Sequence, residues 1–301
     1  MLLSAIVADA PLRGAGVADW QLAEPPPQLE PRHYPDLSQR MRNLLWVLAF
    51  SVAWQWLAGS RAVLEAAPSP EPSFTRAVRD FPSGGTTIRV DRYEPLAPGA
   101  HPAILVLHGS GGMIFDGPEM QRVAERLARA GNAVYLIHYF NRTGTLAVAG
   151  NAGLQKHFET WLGTVRDAIG WVQSEQKSPR PVGIYGYSLG AFLALAAASD
   201  DPRVGTVAEQ AGGIWNGKES RIGRMPPVLV VQGLQDQRVP NEKYARQLQA
   251  VLRRRGAAVE MRIYPQEGHR FATAPQAEVR EQVAAFFARK PGDGSQSGTA
   301  R

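Results

Sequence analysis

The chain has no cysteine. Disulfides, thiolate nucleophiles, zinc-thiolate sites and lipoprotein attachment are therefore excluded. The lack fits an exported protein that does without disulfides, although cytosolic chains can lack cysteine too. Six histidines are present, with no H-x-x-H or H-E-x-x-H spacing, so no metal site is expected. Internal repeats are absent. Long apolar runs are nearly so: the longest, residues 44–59, is interrupted by Ser51 and Gln55 and is short for a bilayer span. The formal charge is +6, yet residues 1–62 are balanced, so the excess belongs to the remainder. Its one basic run, Arg253-Arg254-Arg255, reads as a solvated helix end, and nothing resembles a nucleic-acid module.

What is present is a set of short motifs in a fixed order. An apolar run enters Gly186-Tyr187-Ser188-Leu189-Gly190, a G-x-S-x-G pattern followed by a helix-forming segment. In strand–turn–helix context this is a nucleophile elbow, which leaves a serine hydroxyl protruding. A glycine-rich turn whose serine caps a helix would give the same letters. The distinction lies in what surrounds it, because a serine attacks only when a base takes its proton and donors receive the developing oxyanion.

Downstream, Pro227–Gln232 reads as a buried strand ending in a polar turn that holds Asp236. Val259–Tyr264 reads as a second strand, followed by a loop with His269. The order Ser188, Asp236, His269 assigns nucleophile, orienting acid and general base. Glu209, near the end of the run Val204–Gln210, competes with Asp236, whose strand and turn are better defined. Upstream, Ala103–His108 opens into Gly109-Ser110-Gly111-Gly112. The Leu189 amide, with that of Ser110 or next Gly111, is expected to form the oxyanion hole. The loop lacks the lysine of a phosphate-binding loop. His108 and His138, at strand ends, are expected to be structural or pocket-lining.

From about Ser83 to Arg289 the chain resembles the dienelactone hydrolase-like branch of the α/β-hydrolase superfamily. The resemblance is carried by Leu105–Gly112, Gly186–Gly190, Gln232–Pro240 and Tyr264–Phe271. It implies an α/β-hydrolase fold with a mostly parallel doubly wound sheet, and acyl hydrolysis without a cofactor. The enzymes that name the family use a cysteine nucleophile. Ser188 in that position points to an ordinary small ester, lactone or thioester as substrate. A prolyl-peptidase-type serine peptidase shares the triad order but usually carries a large additional domain, for which 301 residues leave no room. An inactive binding protein of the same fold has no need of all three residues.

The remaining segments alternate as such a sheet requires. Strands are expected at Thr86–Arg92 and Ala133–His138. Helices are expected at Glu119–Ala130, Leu154–Glu175, Leu189–Ser199, Lys243–Arg254 and Pro275–Ala288. Trp161, Leu162, Val165, Ile169 and Val172 have the spacing of a core-facing stripe. The loops Tyr139–Gly153 and Gly212–Met225, the latter with Trp215 and Arg221, are candidate substrate walls. Met41-Arg42-Asn43, the apolar run 44–59 and Ser60-Arg61-Ala62 have the layout of a secretory signal. Residues 1–40 then read as a leader upstream of a true start at Met41, 41–62 as signal peptide or membrane anchor, 63–82 as linker, 83–290 as the catalytic domain and 291–301 as a disordered tail. Export to the periplasm or medium is the expectation, or membrane association through 44–59 if it is not cleaved.

Overall fold

The computed structural model describes residues 73–214 and 219–289. The leader, the signal-like segment, most of the linker, Trp215 and the tail lie outside the described residues.

Eight strands form one sheet: β1 (Phe74–Ser83), β2 (Thr86–Pro95), β3 (Ala103–Leu107), β4 (Ala133–Ile137), β5 (Val182–Tyr187), β6 (Val204–Gln210), β7 (Val228–Gly233) and β8 (Val259–Tyr264). Their order is β1-β2-β4-β3-β5-β6-β7-β8. Only the β1/β2 and β2/β4 pairings are antiparallel. The helices are α1 (Gly112–Phe115), α2 (Gly117–Arg129), α3 (Asn151–Glu175), α4 (Leu189–Ala198), α5 (Ala245–Arg254) and α6 (Thr273–Ala288). This is the mostly parallel, helix-flanked sheet that the motif order implies.

Strands β3 and β4 are buried at every position because both faces of the sheet are covered there. Ala103, Leu105 and Leu107 of β3 join one core, shared with α3, α4 and α5. Ile104 and Val106 join a second core, under α2 and α6. The stripe on α3 lies in the first core, where Trp161 is fully buried and its indole N–H donates to Thr143 Oγ1 at 2.9 Å.

The sheet begins earlier than expected. A linker through residue 82 is the sequence reading, yet Phe74–Ser83 is β1, paired along its whole length with β2. The reason is local. Ser83 pairs with Thr86 across Gly84-Gly85, both at positive φ, a two-residue hairpin turn. The other boundaries move by only a few residues.

Parallel β-strands deliver their carboxyl ends to one edge, and the strand order reverses at β3, which has β4 on one side and β5 on the other. Ser110, Ser188, Asp236 and His269 all follow strand carboxyl ends: those of β3, β5, β7 and β8.

Candidate active site

Ser188 sits between β5 and α4 with φ 52° and ψ −118°. A non-glycine residue there is strained, and surrounding structure must hold it. Its amide donates to Gln210 O on the neighbouring strand at 2.9 Å. The turn is tight enough that a Cβ on Gly190 would lie 2.4 Å from Leu107 O and 2.6 Å from His108 O. Glycine is required there by close approach, which gives the second glycine of the motif its physical meaning.

The three side chains picked out by motif order lie together. His269 Nε2 is 2.9 Å from Ser188 Oγ, and His269 Nδ1 is 2.8 Å from Asp236 Oδ2. A carboxylate only accepts, so Nδ1 carries the hydrogen and Nε2 is left to accept from the serine hydroxyl. The Asp236 side chain is fully buried and that of His269 is 11% exposed. Asp236 is itself fixed: its Oδ1 accepts from the amides of Arg238 at 2.9 Å and Val239 at 2.8 Å. The polar turn after β7 thus folds back onto its own aspartate. Tyr187 Oη donates to His269 O at 3.0 Å, tying the histidine loop to the elbow.

The loop after β3 is pinned on successive peptide planes. Gly109 O accepts from the Gly112 amide at 3.1 Å, and His108 Nδ1, 2.8 Å away, must donate to it. In a trans peptide this turns the Ser110 N–H the opposite way. Ser110 O accepts from the Val148 amide at 2.8 Å, while the Gly111 amide donates to Asp116 Oδ2 at 3.0 Å. The Gly111 amide, expected as an alternative oxyanion donor, is therefore engaged elsewhere. Its acceptor is a side chain that returns from the start of α2. Among the described residues no acceptor engages the amide of Ser110, nor that of Leu189 at the first position of α4.

His108 is structural: fully buried, stacked on Tyr139 at 4.1 Å, and pushed by burial down to about 3, so it is neutral. His138 lies 3.4 Å from Asp91, which is held well below the usual carboxylate range: burial works against this, and His138, Arg76 and Arg89 outweigh it. Glu209 does not reach His269's acid partner position. It is buried, its Oε2 accepts from the Gly212 amide at 2.9 Å, and its Oε1 has no partner.

A cleft of about 610 Å³ opens over Ser188. Phe115, Ala147, Val148 and Ala149 give it apolar lining, and Arg238 and Arg270 line it together with His269. Part of the Tyr139–Gly153 loop thus contributes lining, whereas residues 151–153 belong to α3. In the second candidate loop, Arg221 is exposed and pairs with Glu159 at 3.3 Å, away from the cleft. Among the described residues there is no cluster that could hold a metal, and no helix long and apolar enough to cross a membrane. Sequence reading missed Asp116, for which only its distance along the chain from the glycine loop was visible.

The fold recurs in solved structures at low identity. A putative dienelactone hydrolase from Klebsiella pneumoniae superposes with a TM-score of 0.60 at 17% identity, covering 72% of this chain and 99% of that one. A cold-adapted esterase from an Arctic intertidal metagenomic library gives 0.57 at 16% identity, covering 72% and 96%. Acylaminoacyl peptidase from Pyrococcus horikoshii gives 0.59 at 16%, covering 76% of this chain and 44% of that one. No curated protein matches the sequence. These likenesses speak to the fold. The sequence itself matches the profile of the dienelactone hydrolase family over residues 88–289, from β2 through the end of α6 and across every loop at the strand carboxyl edge. By that match the chain belongs to the dienelactone hydrolase family, a family of hydrolases on the α/β-hydrolase fold.

Proposed function

We propose that the protein is a serine hydrolase that cleaves a small ester, lactone or thioester through an acyl-enzyme. The observation that carries this reading is the continuous hydrogen-bonded line from Ser188 Oγ through His269 to Asp236, beside two unengaged amides. Ser188 Oγ attacks the carbonyl carbon as its proton passes to His269 Nε2. The oxyanion of the tetrahedral intermediate is received by the Leu189 and Ser110 amides. Collapse breaks the bond to the leaving alkoxide or thiolate, which takes the proton from Nε2. A water then enters, gives its proton to His269 and releases the acid, returning Ser188 to its starting state. Asp236 holds the imidazole in the required tautomer and stabilises the imidazolium.

The cleft supports a small acyl group: its apolar lining comes from Phe115 and Ala147–Ala149, within the volume usual for small-ligand sites. A series of p-nitrophenyl esters of increasing acyl length tests this. Hydrolysis is expected to peak at short chains and to leave an acyl adduct on the Ser188 peptide, visible by mass spectrometry when turnover is quenched. Turnover with no adduct on Ser188, or a preference for peptide amides over esters, would contradict the reading.

A further inference from the structure

Asp116 joins two loops that the proposed chemistry must keep in register. It lies at the junction of α1 and α2, and is 2% exposed. Its Oδ2 accepts from the Gly111 amide at 3.0 Å, and its Oδ1 accepts from Arg270 Nη2 at 2.6 Å. Gly111 belongs to the loop after β3 that carries the Ser110 amide. Arg270 is the residue after His269. One carboxylate therefore holds both the oxyanion loop and the loop of the general base.

The fit leaves little slack. A Cβ on Gly109 would lie 2.7 Å from Asp116 Oδ2 and 3.1 Å from Ser188 Cβ, so Gly109 fits between the carboxylate and the nucleophile with no room for a side chain. A bare anion there would oppose an oxyanion forming at Ser110 and Leu189. Arg270 supplies the compensating charge, although its own side chain is 58% exposed. An exposed ion pair contributes little to stability, but removing the partner of a buried carboxylate leaves a charge with one donor, which is costly. The Ser110–Gly111 peptide is pinned at both ends, by Val148 on its carbonyl and by Asp116 on its N–H. Releasing the Asp116 end frees the plane next to the Ser110 amide.

We propose that Asp116 and Arg270 form a strap that positions the oxyanion loop against the His269 loop, with Asp116 a positioning residue for transition-state stabilisation. The inference rests on the hydrolase reading above. Misaligning one donor costs less than deleting it, so an effect of about tenfold on kcat is expected, with KM nearly unchanged.

The decisive variant is Arg270→Gln, which alters a largely exposed side chain at the cleft and leaves the core intact. Three measurements are made on the full chain: kcat and KM on p-nitrophenyl acetate, the rate of fluorophosphonate labelling, and hydrogen exchange of residues 109–115. Arg270→Gln is expected to lower kcat and labelling about tenfold and to speed exchange in 109–115, a segment it does not belong to. Adding Asp116→Asn to that variant keeps an acceptor for Gly111 and removes the uncompensated charge. It also supplies an amide N–H that can donate to the carbonyl introduced at 270, restoring the link between the loops in neutral form. The double variant should therefore recover activity, a non-additivity that a surface role for Arg270 would not produce. Labelling and exchange equal to the native protein in Arg270→Gln would overturn the strap. Native protein that is not labelled at Ser188 would overturn the hydrolase reading instead.

Discussion

Glu209 gives the sharpest quantitative consequence of this architecture. Burial raises its carboxyl from about 4.5 to about 8; the Gly212 amide opposes the shift and the charge of Asp236 adds to it. Unfolded chain releases this proton near the ordinary glutamate value, whereas the folded protein keeps it until about pH 8. Between those values the folded state binds the extra proton, so this group's contribution to stability falls as pH rises through the window. At 1.36 kcal/mol per pH unit the loss accumulates to about 5 kcal/mol above pH 8. Glu209→Gln imitates the neutral acid: a carbonyl oxygen can still accept from Gly212, and the unpartnered Oε1 is replaced by an equally unpartnered amide. Urea unfolding of both proteins at pH 5, 7 and 9 tests this. The two should differ by under about 1 kcal/mol at pH 5, and the variant should be more stable by about 4–5 kcal/mol at pH 9. Parallel pH profiles would refute the reasoning. Esterase activity of the variant should stay within about threefold of native, since Glu209 stands apart from His269.

The acid that does contact His269 should behave oppositely. Asp236→Asn keeps the shape but reverses the tautomer preference, and kcat is expected to fall about ten-thousandfold, measured as initial rates on an aryl ester. Tyr187→Phe removes the bond to His269 O, and should cost about 1 kcal/mol in urea unfolding with a fall in kcat of less than about tenfold.

Much of the site was legible in the chain because its chemistry is tied to strand ends. Ser188 and Asp236 follow mostly apolar runs and His269 an alternating one, and parallel strands carry whatever follows them to one edge. Asp236 could be ranked above Glu209 on the definition of its turn. The physical reason appears only in three dimensions, where the Arg238 and Val239 amides hold Asp236 while Glu209 faces Gly212. What was not legible depends on side chains that return from a distance. Nothing in Gly109–Gly112 says that the Gly111 amide is taken by Asp116, or that Arg270 meets the same carboxylate. Strand β1 was missed for another reason. Arg76, Arg79 and Asp80 interrupt it, and only Phe81 and Ser83 are buried, so its hydrophobic pattern is faint. Its pairing is dictated by the Gly84-Gly85 turn and by β2.

The most direct test of the central claim is labelling with a fluorophosphonate probe, native protein against Ser188→Ala, both confirmed folded by circular dichroism. Phosphonylation requires a serine activated by its base and an oxyanion hole that accepts the tetrahedral adduct. The native protein is expected to be labelled on the Ser188 peptide, and Ser188→Ala to remain unlabelled. Equal labelling of the two proteins, or no labelling of folded native protein, would contradict the account.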